Sequence, residues 1–485
     1  MPDLLDSGRV ATVRRWLALA RSCRFTSPIL LLAEAEIALR DQDHRKAQAL
    51  GERAGALIAA GDTAARAFIV AARAAHLRDD RPAVALNSEL ALSATRSAEL
   101  QTTALWIAFA NAIEWSTRDA TLILDRLRCV PDRRPNHALQ VLNAQGWLLM
   151  DTERDLRPAA EKFELAYAFV PHVRDPLLTT SLLNVLAHTM VHLAEYDRAL
   201  AVVNELIEDA RANGVAFAID HALITRASAS IGLRKLPAAE EALKELDERS
   251  ANLTVHVAAN AQLQRVRRLI AIGDLERASY LLQQKPPECL PPPFRGEFCA
   301  YRGLVSAALS AVADAEVAFR EARDYSGYAT TSILCDLGHA IAELQRHADE
   351  ALETSVHTLT AAIAAGHLDT VVTAARAFPG LVRAGVSDSA CAQALTTILN
   401  RSTDIDLGRQ AGLKMPRVLR RKEGLSPREQ DVYELLVRGR TNKEIASALF
   451  ISHSTTKVHV RHIFEKLGVH RRAEAARAGT EETPL

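Results

Sequence analysis

From the N-terminus to about residue 400, apolar residues recur at three- and four-residue intervals between short polar breaks. That is the period of helices burying one stripe each, not of strands. The breaks themselves repeat. A short turn leads into a helix whose early Ala has a polar or charged residue four positions before it. The copies are DHRKA ending at Ala47, DDRPA at Ala83, STRDA at Ala120, DLRPA at Ala159, EYDRA at Ala199, KLPAA at Ala239, DLERA at Ala278, DAEVA at Ala318 and HADEA at Ala351. Their spacings are 36, 37, 39, 40, 40, 39, 40 and 33 residues, room for two helices and two turns per unit. A small residue is needed where the second helix of a hairpin crosses close to the first. The period predicts a stack of helical hairpins with an extended concave surface.

Between 401 and 424 the period fades. Gly408, Gly412 and Pro416 interrupt it, and Arg417, Arg420, Arg421 and Lys422 cluster. This reads as a linker with a basic end. From Leu425 to Gly479 the pattern returns as four short helices. Ser426, Pro427 and Glu429 lay out a capping box, with Val432, Leu435 and Leu436 as the buried stripe and Gly439 as the stop. Thr441 or Asn442 caps a second helix that buries Ile445, Ala446 and Leu449. Ile451 and Ser452 turn into a third, and a fourth is expected over roughly 470–478.

The third helix carries the chemistry. Thr456, Val460, Ile463 and Leu467 share an inward face, while Ser454, Lys457, Val458, Arg461 and Glu465 share the outward one. Such a front suits a DNA major groove. Lys457 and Arg461 can donate to guanine O6 and N7, and Val458 can touch a thymine methyl. Helix two would cross the backbone, with Lys443, Ser454 and Thr455 on phosphates. Charge points the same way. Residues 417–479 hold 14 Lys and Arg against 7 Asp and Glu, in a chain balanced at 59 against 59. A basic domain on an acidic body is the footprint of nucleic-acid binding.

The stretch LSPREQDVYELLVRGRTNKEIASALFISHSTTKVHVRHIFEKLGVHRRAEAARAG resembles the DNA-binding domain of LuxR-type (NarL/FixJ-like) transcription regulators. The resemblance covers about 55 residues, from Leu425 and Ser426 through Asn442, Lys443, Ile445, Lys457 and Leu467 to Arg472 and Ala475. It implies a four-helix fold, base contacts from Lys457, Val458 and Arg461, and homodimers on DNA through the last helix. Thr456 departs from the family's usual Val. Its hydroxyl is not neutral in a core unless it bonds back to a carbonyl such as that of Ser452. The repeats resemble tetratricopeptide-type units with much of the aromatic pattern missing. The opening LLDSGRVATVRRWLALARS is similar to the segment after the ATPase module of large MalT-like regulators. No Gly-Lys dipeptide occurs anywhere, so nothing forms a phosphate loop and ATP binding is not carried over.

Composition then narrows the function. Hydrophobic residues are 48%, charged residues 24% and aromatics only 5%, which favours helices. No signal peptide is visible, and no apolar run reaches the roughly 18 residues that span a bilayer. The six cysteines, Cys23, Cys129, Cys289, Cys299, Cys335 and Cys391, form no CxxC pair and no zinc spacing. Trp16, Trp106, Trp115 and Trp147 are taken as core, and His188, His192, His339 and His347 as structural or surface. The run 286–293, PPECLPPP, is expected to be an inter-repeat loop, with a hinge as the alternative. No catalytic, metal or cofactor constellation stands out.

The sequence therefore predicts an all-α protein: a tetratricopeptide-like superhelix over 1–400, a linker over 401–424, and a four-helix LuxR-type helix-turn-helix domain over 425–485. The expected function is cytoplasmic, bacterial, sequence-specific transcription regulation on double-stranded DNA. The body would sense a protein or small-molecule effector. The alternative is a protein-interaction adaptor with a weak or vestigial DNA-binding end.

Overall fold

A computed structural model describes residues 9–415, apart from 79, 174, 250–252, 285 and 348–349, and residues 425–475, apart from 426, 438, 449–452, 470 and 473. The chain divides into two compact units, Met1–Leu413 and Lys414–Leu485. Among the described residues every regular element is helical.

In the body, each sequence break opens the second helix of a hairpin. The side chain of Asp43 accepts from the Lys46 amide, Ser116 from Asp119 and Asp274 from Arg277, each at 3.2 Å. At these three breaks the polar residue four before the Ala is thus an N-cap, holding an amide that the first turn leaves free, whereas Glu195 and Lys235 stand at the N-cap without a side-chain bond. Burial then follows every fourth and seventh residue, as in Ala120, Leu124 and Leu127, or Ala239, Leu243 and Leu246. Where an aromatic takes the middle position, the neighbouring helix supplies a glycine. A Cβ on Gly146 would lie 2.4 Å from the Phe163 ring, and one on Gly303 would lie 2.2 Å from Phe319.

Three expected phases move. In helix Arg81–Ala94 the buried series is Val84, Ser88 and Ala91, with Ala83 only half-buried. In Val312–Tyr325 it is Ala315, Phe319 and Ala322, although Ala318 is buried too. In Ala351–Ala364 it is Ser355, Leu359 and Ala362. With these corrections the spacing stays within 36–40 residues. A further copy, Cys391, Leu395 and Ile398, follows in Ser389–Arg401. The odd interval of 33 came from matching composition where burial had slipped.

Two other expectations change. Pro292 and Pro293 do not stay in a loop; they open helix Pro292–Ala308, because the first helical positions need no amide donor. The linker does not begin at 401. Helix Ile405–Gln410 still belongs to the body, and Ser402, Asp404 and Leu413 are buried. Arg376 explains this. Its guanidinium reaches Asp404 at 2.8 and 3.0 Å and the carbonyls of Ile231 and Gly232 at 2.8 Å each. Of the tryptophans, Trp106 is core while Trp16 is exposed.

The array also touches itself at long range. The Leu156 amide donates to the Ala365 carbonyl at 3.0 Å, and the Tyr328 hydroxyl to the Ile113 carbonyl at 3.2 Å. Tyr196 bonds Asp369 at 2.9 Å, and Asp369 pairs with the buried Arg267. Near them lies a group of histidines. The His188 and His192 Nε2 atoms are 3.0 Å apart, and ring centroids lie 6.3 Å apart for His192–His367 and 5.9 Å for His221–His256. Burial lowers the proton affinity of all of them, opposed by Asp220 at His221 and by the Arg154 carbonyl bond at His367. The pKa falls to about 4 in His188, where Arg267 adds to burial, and to about 3 in His256, where His221, His76 and His188 add. His192 is pushed well down as well.

Two outcomes follow. Asp404→Ala leaves the Arg376 guanidinium buried without its counter-ion and should cost about 3–5 kcal/mol in urea unfolding. Arg234→Ala removes the same carboxylate's more exposed partner, which sits 2.9 Å away, and should cost far less. Acid should weaken the body through the histidines. Folded pKa values below the ordinary 6.5 mean the unfolded chain binds more protons. Stability is therefore full above about pH 6.5 and falls progressively toward about pH 4. Melting temperatures across that range check this, and replacing His188 and His256 by Gln together should flatten the slope.

Candidate nucleic-acid interface

The C-terminal unit has its own core of Val432, Tyr433, Leu436, Ile445, Val460, Ile463 and Ala475. The first helix runs Pro427–Val437. Gly439 follows it at φ +80°, the left-handed conformation that ends a helix most cheaply in glycine. The expected Ser426 cap lies outside the described residues. Glu429 is buried and pairs with Lys466 at 2.7 Å, tying the first helix to the third.

Thr441 caps the second helix, Asn442–Ala448. Its Oγ1 accepts from the Glu444 amide at 3.3 Å, and the Glu444 carboxylate accepts from the Thr441 amide at 2.7 Å. That reciprocal pair is a capping box. It holds Glu444 in its charged form, with its pKa below the ordinary value because of the Thr441 bonds. Ile445 and Ala446 point into the core, and Lys443 is exposed. Leu449, Ile451 and Ser452 lie outside the described residues.

The third helix runs His453–Leu467. Thr456 is fully buried with Val460 and Ile463, and Leu467 is half-buried. The opposite side carries exposed Thr455, Lys457, Val458 and Arg461. Val458 is 44% exposed, a branched apolar side chain left facing water between two cations. Arg461 lies 3.7 Å from Glu465. The front is thus a cationic strip with one apolar spot, on a helix whose back is fixed by packing. Lys443 and Thr455 are exposed. The side chain of Ser454 lies outside the described residues.

The structure also gives work to residues that the sequence left without a role. The Tyr433 hydroxyl donates to the Ala475 carbonyl at 3.0 Å. Arg472 reaches Asn442 Oδ1 at 3.2 Å and the Leu436 carbonyl at 3.3 Å, and also bonds the Arg440 carbonyl. A cation on the last carbonyls of the first helix complements its dipole. These contacts seat the segment after Gly468 on helices one and two. Of the expected fourth helix only 471–472 and 474–475 are described, with the Ala475 amide bonded to the Arg471 carbonyl at 3.0 Å. Polar side chains bonding distant carbonyls leave no periodic trace, which is why spacing could not reveal them.

Among the described residues no helix is long and apolar enough to cross a membrane. Comparison with known proteins agrees with this geometry. The family model for bacterial regulatory proteins of the luxR family matches residues 423–478. The spore germination protein GerE of Bacillus subtilis is 51% identical over 51 residues, which are 10% of this chain and 69% of that protein. The nitrate/nitrite response regulator NarL of Escherichia coli is 48% identical over 52 residues, 11% of this chain and 24% of NarL. The transcriptional regulatory protein MctR of Rhizobium johnstonii is 34% identical over 90 residues, 19% of this chain and 42% of MctR. The match thus spans less than half of MctR and about a quarter of NarL. It covers most of GerE, and on that similarity the chain belongs to the LuxR family of bacterial regulatory proteins, with a C-terminal helix-turn-helix DNA-binding domain.

Proposed function

We propose that this protein reads a specific double-stranded DNA sequence in a bacterial cytoplasm and regulates transcription there, with its repeat body as the sensor. One observation carries the reading: Lys457, Val458 and Arg461 are exposed together on a helix whose other side is packed into a core. In this reading the third helix enters the major groove. Lys457 and Arg461 donate to guanine O6 and N7, and Val458 rests on a thymine methyl. Lys443, Ser454 and Thr455 hold phosphates and set the register. Two copies bind a two-fold site through the segment after the third helix. The body takes up a protein or small-molecule effector and thereby changes how available the DNA-binding unit is.

Selection of genomic fragments by the full chain, beside a piece from Arg417 onward, tests this. Enrichment of one short two-fold motif by both supports DNA reading; enrichment by the piece alone adds that the body inhibits it. No motif in either, even at low salt, would favour an adaptor. Lys457→Ala should cost about 1–3 kcal/mol at its base pair and relax preference there. Lys443→Ala should weaken all sequences alike and lower the salt slope by about 1. An unchanged preference in the first variant would remove Lys457 from the base-reading set.

A further inference from the structure

The body has an interior that DNA reading does not use. His76, His188, His192, His221, His256 and His367 come from four helices and one turn, yet lie near one another. Direct ring contacts link His188 to His192, His192 to His367, and His221 to His256. His76 lowers the proton affinity of His256 and is itself lowered by His221, which places it in the same group. His367 is fully buried, and the other five are half-buried.

The charged groups around them are mostly committed. Asp369 is held by Arg267 and Tyr196, Asp220 by Arg249 and Gln42, and Asp155 by Arg157. Glu297 is pushed up to about 7 by burial, with Arg267 opposing and Asp369 adding. Arg154 faces His367, whose Nε2 donates to the Arg154 carbonyl at 3.1 Å. The buried Tyr301 lies near Arg267 and Glu297. Donor capacity, by contrast, is left over. Arg267 is 5% exposed, and its Nε has no hydrogen-bond partner among the described residues. The same holds for the buried Nδ1 of His192 and Nε of Arg295. A buried N–H without an acceptor is costly, so an acceptor brought to it is favoured.

An interior of many imidazoles and spare guanidinium donors, with its carboxylates paired apart from the Glu297 carboxyl that burial holds toward its neutral form, suits negative charge. Metal is a poorer fit: among the described residues no group of three or more His, Cys, Asp or Glu is placed to hold an ion. We propose that this histidine-lined interior binds a small polyanion, through carboxylate or phosphate oxygens, and that the histidines take up protons as it binds. The empty group stays neutral because nothing balances a charge there. An anion supplies that balance, so each proton that enters strengthens its binding. This deepens the sensor reading of the body and rests on it for its regulatory meaning. Binding itself is measured without DNA, so its failure would leave DNA reading untouched.

The test is calorimetric titration of the full chain with citrate and, separately, inorganic phosphate. Each is run in buffers of different ionisation enthalpy, at about pH 7.5 and about pH 6.5. The expected result is saturable binding of one of them with uptake of at least about one proton, about tenfold tighter at the lower pH. Which of the two binds identifies carboxylate or phosphate chemistry. His188→Gln and His256→Gln, each checked for retained helix content, should reduce both affinity and proton uptake. Should one variant fail to fold, the other and the proton count of the unaltered chain still decide. No binding of either anion, binding without proton uptake, or binding unchanged in folded variants would overturn the proposal.

Discussion

Close approach of helices is the constraint on which the body depends. Hairpin follows hairpin only where the second helix offers small residues, or a flat ring lying on a glycine. Phe163 over Gly146 and Phe319 over Gly303 are the tight cases, with no room for a methyl group. Polar caps at Asp43, Asp80, Ser116 and Asp274 each stand four positions before a buried residue, and so fix which residues of those helices meet their neighbours.

Legibility in the sequence tracks how local each cause is. Helix starts at Asp43, Ser116 and Asp274 were readable because the capping side chain and the amide it serves are three residues apart. The front and back of the third helix in the C-terminal unit were readable because period alone sorts Lys457 from Thr456. Ser402 and Asp404 were not. They look like turn residues, and only Arg376 and two carbonyls of a distant turn make them interior. Tyr433 and Arg472 were hidden for the same reason, since each acts on a carbonyl far along the chain. His188 and His192 showed a four-residue spacing, but the other members of their group come from separate repeats. The phase slips at Val84, Ala315 and Ser355 show that matching letters is a weaker guide than matching burial.

The two units also divide the use of charge. In the C-terminal unit, Lys466 is committed inward to Glu429 and Arg472 to carbonyls, while Lys457 and Arg461 stay on the surface. The paired cations tie the helices together, and the front cations are left exposed. In the body, most carboxylates pair with arginines, while burial moves the clustered imidazoles down and the Glu297 carboxyl up to about 7.

The contacts between remote turns of the array change what kind of object the body is. An open stack of repeats melts piecemeal from its ends, because each unit answers only to the next. Here Tyr328 grips the Ile113 carbonyl 215 residues away, and His367 meets the Arg154 carbonyl 213 residues away. Fraying at one end must therefore release contacts in the middle. The body gains cooperativity at the expense of speed, since such distant pairings close slowly during folding. It should also tolerate the loss of whole repeats poorly, unlike arrays that evolution lengthens and shortens freely. A strain imposed anywhere along the coil is then shared by all of it.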